Sequence, residues 1–280
     1  MNIQSAILIG ENILKSQLIK SARLDTEILM AKALGVKREY IILYPDKNLD
    51  EKYLDYFEKL IQKRATRKPI AYLLNNKFFW NDQFFVNKNT LIPRPDTEII
   101  IEQVLKITKN KNKLNILDIG VGSGCILLSI LKERKNFYGT GIDISKNSLD
   151  ICKINTKKFM LENRIKLYKS DVDKFAQGKY DLIVSNPPYI RRCDLQYLEC
   201  DVLKFEPQLA LDGGLDGLSV IRKVIRKSSE LIKKNGKLIL EIGFDQKNKV
   251  IKLLNKKGFY INSTIKDLAG NNRCIVSTKL

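Results

Sequence analysis

Histidine is absent from the 280 residues, and with it go the commonest general acid/base and every Ser–His or Cys–His nucleophile pair. Any chemistry in this chain has to proceed without imidazole. Cysteine is sparse: Cys125, Cys152, Cys193, Cys200 and Cys274 are odd in number and show no C-x-x-C spacing. That argues against both a disulfide framework and a zinc site, and no metal is expected. Long apolar runs are missing too. None approaches the roughly 20 residues that cross a bilayer, so no membrane association is expected. The N-terminus lacks the basic region, apolar stretch and small-residue cleavage site of a secretory signal, and a cytoplasmic location is the expectation. Negative charge is in short supply, with 31 Asp+Glu against 50 Lys+Arg and a net charge of +19. This balance favours approach to nucleic acid, ribosomes or an acidic protein. The lysines are spread along the whole chain, however, which reads as compositional bias rather than a focused stripe.

The length suits one α/β domain with a smaller companion. Residues 1–74 read as a small helical bundle, with Leu24, Ile28, Ala31 and Leu34 at helical spacing and Leu54, Phe57 and Leu60/Ile61 repeating the pattern. Residues 75–90 read as a hairpin linker, in which Phe78, Phe79 and Trp80 face Phe84, Phe85 and Val86 across Asn81-Asp82. From residue 91 to 280, strand, turn and helix alternate. The expected strands begin with Leu114–Leu117, Tyr138–Asp143 and Ile165–Tyr168, and continue with Leu182–Val184 and Leu238–Leu240. Tyr260–Thr264 and Cys274–Thr278 are expected to pair as a terminal hairpin. This order predicts an α/β fold with a largely parallel, doubly wound, Rossmann-like sheet.

The first of these strands runs into Asp118-Ile119-Gly120-Val121-Gly122-Ser123-Gly124, with a helix beginning near Cys125. Glycines there let the chain turn sharply and bring a ligand against the peptide plane, and the free N–H groups of the helix start favour negative charge. The D-x-G-x-G-x-G spacing departs from the G-x-G-x-x-G fingerprint of nicotinamide cofactors. Asp143 closes the second strand, where an acidic side chain accepts hydrogen bonds from ribose hydroxyls. Taken alone, the loop is a tight connection and Asp143 a helix cap; in order, they point to an adenosine-bearing cofactor. Ser170-Asp171-Val172, past the third strand, is placed for the adenine, although Asp171 also suits a plain turn.

The fourth strand ends in Ser185 and continues into Asn186-Pro187-Pro188-Tyr189. Two prolines leave two peptide positions without N–H groups, so carbonyls there serve as acceptors. The Asn186 side-chain oxygen adds another acceptor, and Tyr189 offers a flat face. The segment reads as a receptor for a planar NH2-bearing group, against the simpler reading of a rigid loop. An amide or exocyclic amino nitrogen is a poor nucleophile because its lone pair is delocalised. Acceptors on both N–H bonds return electron density to nitrogen and aim it at an electrophilic carbon, without a histidine base.

With these residues in view, the whole chain resembles the HemK-type protein-(glutamine-N5) methyltransferases. N-P-P-Y alone is shared with enzymes that methylate amino groups in DNA and RNA. The stretches that discriminate are Leu91-Ile92-Pro93-Arg94-Pro95-Asp96-Thr97-Glu98, Phe205-Glu206-Pro207 with Ala210-Leu211, and Asp267-Leu268-Ala269-Gly270-Asn271-Asn272-Arg273. The resemblance implies a class I methyltransferase sheet, S-adenosyl-L-methionine as cofactor, and the glutamine of the Gly-Gly-Gln motif of class-1 peptide-chain release factors as substrate. Carried over by residue, Gly120, Val121, Gly122, Ser123 and Gly124 would cradle the methionine part of the cofactor and Asp143 its ribose, with Asp171 and Val172 beside the adenine and Asn186 also close by. Asn186 and Pro187 would hold the glutamine amide, with Pro188 and Tyr189 packing on it and Arg94 shaping the pocket. The helical N-terminal region would contact the protein substrate. Pro95, Asp96 and Glu98 also suit a plain helix start. Two residues depart from the family pattern: Val172 replaces a common aromatic, and Asn75 replaces a common glycine, a change that Asn tolerates in the left-handed conformation. The alternatives are a nucleic-acid amino-group methyltransferase, for which no base-reading module is evident, and a non-catalytic cofactor-fold binding module.

Overall fold

Helical spacing in the first part of the chain produces five helices in the computed structural model, which describes all 280 residues. These are α1 (Ile3–Ser16), α2 (Ala22–Leu34), α3 (Arg38–Leu43), α4 (Glu51–Ala65) and α5 (Ile70–Leu74). The chain divides into two compact units, one of Met1–Asn76 with Glu199–Phe205, the other of Lys77–Leu198 with Glu206–Leu280.

In the helical unit, α1, α2 and α4 close around Ile3, Leu14, Leu29, Met30, Phe57 and Ile61. Gly10 permits the approach: a Cβ there would lie 2.9 Å from Thr26 and 3.0 Å from Phe57. The face of α2 differs from the one its apolar spacing predicts. Leu24 is exposed, whereas Asp25, Thr26, Leu29 and Met30 are buried. The polar pair is buried because it is partnered. Asp25 accepts from Arg64 Nε at 2.7 Å, and the Thr26 hydroxyl returns to Ala22 O at 2.7 Å. Arg64 Nη1 also donates to Asp201 at 2.7 Å, which ties the short helix α9 (Cys200–Phe205) into this unit through a buried ion cluster. Nothing in the local sequence marks residues 199–205 as belonging with the first 76.

The second unit begins with a hairpin, β1 (Asn76–Phe79) and β2 (Asp82–Phe85). It is built into the unit rather than left as a linker. Phe79 and Phe84 are buried in its core, and Phe84 meets the Phe159 ring edge-on at 5.0 Å. Asn155, fully buried, bonds both the N–H and the C=O of Phe85, at 2.7 and 3.0 Å. Pro95 then opens a 3-10 turn that runs into α6 (Glu98–Ile107), so the proline and the acidic residues after it do start a helix.

The remaining elements are β3 (Asn115–Ile119), α7 (Cys125–Glu133), β4 (Tyr138–Asp143), α8 (Lys146–Lys158), β5 (Ile165–Lys169), β6 (Tyr180–Ser185), α10 (Ser219–Leu231), β7 (Ile232–Glu241), α11 (Lys247–Lys256), β8 (Phe259–Lys266) and β9 (Asn272–Lys279). They form a seven-stranded sheet of order β5-β4-β3-β6-β7-β9-β8, parallel except for β9, which runs antiparallel to β7 and β8. The expected strands and the terminal hairpin are all present. Strands β3 and β6 and the second half of β7 are rich in apolar residues because helices cover both faces, and two apolar clusters flank the sheet. The order reverses between β3 and β4 on one side and β6 on the other, which opens a crevice at the carboxyl ends of β3 and β6.

Candidate active site

The crevice is a cavity of about 310 Å³ walled by the loops after β3, β4, β5 and β6 and by residues of the Pro93–Thr97 and Pro207–Ala210 segments. In the loop after β3, Gly120, Gly122 and Gly124 all have positive φ, at +80°, +54° and +84°. Gly120 and Gly122 line the cavity, and a Cβ on Gly120 would project into open space. Gly124 serves packing instead. A Cβ there would lie 2.7 Å from Cys152 Sγ and 2.8 Å from Leu128 Cδ1, so its bare Cα lets α7 pack against α8. Val121 reaches the wall and is also wedged against Gly141. Ser123 is buried behind the wall, its carbonyl accepting from Asn155 Nδ2 at 2.8 Å. Of the five loop residues read as cofactor contacts, therefore, Ser123 and Gly124 support the cradle from outside the cavity.

Asp143 ends β4 on the wall and takes two backbone N–H groups, Gly122 on Oδ2 and Ser145 on Oδ1, both at 2.9 Å. Each oxygen keeps a lone pair, enough for two vicinal hydroxyls. Burial pushes this carboxyl above its ordinary value, against the pull of those donors. Asp171 also lines the cavity, and it caps the following turn by accepting from Asp173 N–H at 2.9 Å; Val172 lies next to it on the wall. Asp118, near the end of β3, opens the glycine-loop motif, but the sequence gives it no role of its own. Its carboxylate is fully buried, neither oxygen has a hydrogen-bond partner, and burial, helped by the nearby Asp143, pushes its pKa to about 8. A buried carboxyl on the wall with lone pairs to spare suits a ligand bearing a ribose, and S-adenosylmethionine is such a molecule.

Across the cavity, Ser185, Asn186, Pro187 and Pro188 lie on the wall, and the Ser185 hydroxyl donates to Ile119 O at 2.7 Å, joining the two halves of the crevice. Tyr189 is turned away from the wall. Its hydroxyl donates to Glu241 Oε1 at 3.2 Å, and Arg273 Nη1 reaches that hydroxyl at 3.5 Å. Burial and the Glu241 charge both push the Tyr189 phenol up. Arg94 lines the cavity and is held by Glu206, which accepts from Arg94 Nη2 at 2.5 Å and from Ile92 N–H at 3.0 Å. Arg273 in turn is gripped by Asp267 at 3.0 Å. The three remote segments singled out by resemblance are thus tied to one another and to Asn186–Tyr189. Thr97 and Glu241 are site residues that sequence reasoning misses as individuals. The one signal for Glu241 is a carboxylate standing in an apolar strand end, Leu238-Ile239-Leu240-Glu241-Ile242.

This fold is that of the methyltransferases. The ribosomal protein L11 methylase of Lactobacillus delbrueckii subsp. bulgaricus superposes with a TM-score of 0.51 at 19% identity, over 67% of this chain and 81% of that one. A methyltransferase from Pyrococcus furiosus gives 0.52 at 19% identity, over 70% and 88%. Residues 5–74 match the PrmC N-terminal domain and residues 96–200 the methyltransferase small domain. The release factor glutamine methyltransferase of Clostridium botulinum is 39% identical over the full length of both chains, and that of Caulobacter vibrioides 36% identical over 95% of this chain and 92% of its own. A bifunctional methyltransferase of Rickettsia conorii is 35% identical, and there the match covers 92% of this chain but 54% of the relative. The chain belongs to the release factor glutamine methyltransferase family.

Proposed function

We propose that this protein transfers a methyl group from S-adenosyl-L-methionine to the side-chain amide nitrogen (N5) of the glutamine in the Gly-Gly-Gln motif of class-1 release factors. The observation that carries the reading is the pairing, across one cavity, of the Asp143-anchored glycine loop with Asn186 and its prolines. Bound there, the cofactor supplies a methyl made electrophilic by a sulfonium. Asp143 would hold its ribose, and Gly120, Val121 and Gly122 the methionine end. Asn186 Oδ1 and the Pro187 carbonyl accept the two amide N–H bonds, which returns electron density to nitrogen and orients it for in-line attack. Transfer would form the N–C bond as the cofactor's S–C bond breaks, with the surplus proton on nitrogen passing to water. Pro188 packs beside the amide, Tyr189 braces the segment from behind, and Arg94, fastened by Glu206, borders the entrance for the protein substrate. The helical unit is the surface assigned to the release factor, and a substrate that works on the ribosome puts the activity in the cytoplasm.

The test is transfer of labelled methyl to a purified class-1 release factor, with the modified residue located by mass spectrometry. One glutamine should be methylated. Methylation confined to RNA or DNA would replace this reading with that of an amino-group methyltransferase of nucleic acid. Asn186→Ala should lower turnover by roughly 100-fold or more while leaving cofactor affinity within about 2-fold, because the amide oxygen acts on the substrate. Equal loss of both would show that Asn186 serves the cofactor instead.

A further inference from the structure

The Pro187 carbonyl belongs to a stretch of backbone whose anchors can be followed from one end to the other. Ser185, where the stretch begins, is fixed in the sheet: it pairs with Leu240 of β7, and its hydroxyl bonds Ile119 O of β3. Pro187 and Pro188 lock their own φ. The exit is the peptide between Tyr189 and Ile190, and both of its polar groups are engaged. The Ile190 N–H donates to Leu211 O at 3.2 Å, and the Tyr189 carbonyl accepts from Gln246 Nε2 at 2.9 Å. Of these backbone anchors, the last alone comes from a side chain outside the segment.

Gln246 is buried, 3% exposed, in the turn between β7 and α11. Its amide makes three bonds at once. Nε2 donates to Tyr189 O and, at 3.1 Å, to Gly217 O, while Oε1 accepts from the Gly243 N–H at 2.9 Å. Two carbonyls and one N–H of the backbone decide which way this amide lies, since a flipped amide would set oxygen against oxygen. Glycines make room for the arrangement. A Cβ on Gly217 would lie 2.5 Å from Tyr189 O and 2.7 Å from Gln246 Nε2, and one on Gly213 would lie 2.9 Å from the Tyr189 carbonyl carbon. The connection between β6 and α10 is thereby pressed against the same peptide that Gln246 holds.

We propose that Gln246 is a positioning residue for methyl transfer: by holding the Tyr189 carbonyl it fixes the exit of the Asn186–Tyr189 segment, and with it the direction in which the Pro187 carbonyl meets the substrate amide. The inference rests on the function proposed above, in which that carbonyl accepts an amide N–H. Gln246 and Tyr189 both lie off the cavity wall, so the effect passes through the backbone and not through contact with substrate or cofactor. A displaced acceptor slows the transfer step because it misdirects the nitrogen, while the cofactor keeps its own loops after β3 and β4. Similar side chains fall short of the task. Glutamate ionised lacks the donors, asparagine is one methylene too short, and methionine has the size but no hydrogen to give.

The experiment compares the unaltered protein with Gln246→Met, Gly213→Ala and Leu254→Val, the last removing buried apolar bulk about two turns further along α11. It measures the single-turnover rate of transfer to a release factor at saturating cofactor, KM for the release factor, cofactor affinity and thermal stability. Gln246→Met should lower the single-turnover rate roughly 10- to 100-fold, with KM and cofactor affinity each within about 3-fold of the parent. Gly213→Ala, which pushes on the Tyr189 peptide from another loop, should shift the same quantities in the same way. Leu254→Val should lower the melting temperature and keep the rate. An unchanged rate in Gln246→Met would overturn the inference alone, as would a rate loss matched by lost cofactor affinity or reproduced by Leu254→Val, either of which would make Gln246 a stabilising residue and nothing more. No transfer to glutamine by the unaltered protein would overturn the function and this inference together. If Gln246→Met does not fold, an unchanged rate in Gly213→Ala decides against the inference.

Discussion

Glu206 shows how a residue with no chemistry of its own can matter. Its carboxylate is sealed from solvent and holds both the Ile92 N–H and the Arg94 guanidinium, the latter half-exposed at the cavity rim. Removing one partner of such a pair strands the other. Glu206→Ala should therefore cost about 1–3 kcal/mol in chemical denaturation, less than the roughly 3–5 of a fully buried pair because Arg94 can turn to water. It should also raise KM for the release factor, as Arg94→Ala would, with cofactor affinity unchanged in both. At this scale the sequence is readable where contacts are contiguous. Asn186–Pro188 and Gly120–Gly122 do line the cavity, and each motif lies on one loop. Thr97, Glu241 and Asp118 are not readable in the same way. Thr97 and Glu241 act on partners from other strands or loops, and the carboxyl of Asp118 stands out only once its lack of partners is visible.

At the level of elements, the strands announce themselves through apolar runs bounded by turns, and the left-handed cap at Asn75, with φ +56°, is where the missing glycine predicts it. What stays hidden is the inner face of α2, because two of its inward residues, Asp25 and Thr26, are polar and find their partners within the bundle. The glycines separate cleanly by what surrounds them. Gly124→Ala combines a left-handed backbone with collisions against the Cys152 and Leu128 side chains. It should lose about 2–4 kcal/mol and weaken cofactor binding, since the same loop forms the cradle. Gly35→Ala, at the end of α2, has φ +69° and empty space around it, and should lose only about 1 kcal/mol with the cofactor unaffected. Denaturation curves and cofactor titration on the two variants separate backbone strain from packing; similar losses in both would show that Gly124 is not a packing glycine.

For the whole molecule, the unusual carboxyls lie on both sides of the ordinary range, and their pH windows do not overlap. Those held low by cations or backbone donors, such as Glu27, Asp173, Asp216 and Asp267, finish titrating in acid. Asp118, Asp143 and Glu241 are raised, Asp118 to about 8 and Glu241 to about 7. A raised carboxyl is protonated in the folded chain while already ionised in the unfolded one, so the folded state binds more protons and stability falls as pH rises. For Asp118 the fall begins near pH 4, the ordinary value, and ends once pH passes about 8, where the buried carboxylate is ionised too. Free of cofactor, the protein should lose about 2–4 kcal/mol of stability between roughly pH 5.5 and 8.5 from this residue, the loss levelling off above that. Asp118→Asn removes the titration and should flatten the curve, leaving the variant more stable than the parent at about pH 8.5. Asp118 is off the cavity wall but feels the charge of Asp143, which is on it, so a cationic cofactor held against Asp143 should lower the pKa of Asp118 and release protons on binding near pH 7. Calorimetry in two buffers of different ionisation enthalpy would register that release, and Asp118→Asn should diminish it. Stability that rises between pH 5.5 and 8.5 in the cofactor-free protein would mean that Asp118 is already ionised there, and that its charge is balanced by a group other than the cofactor.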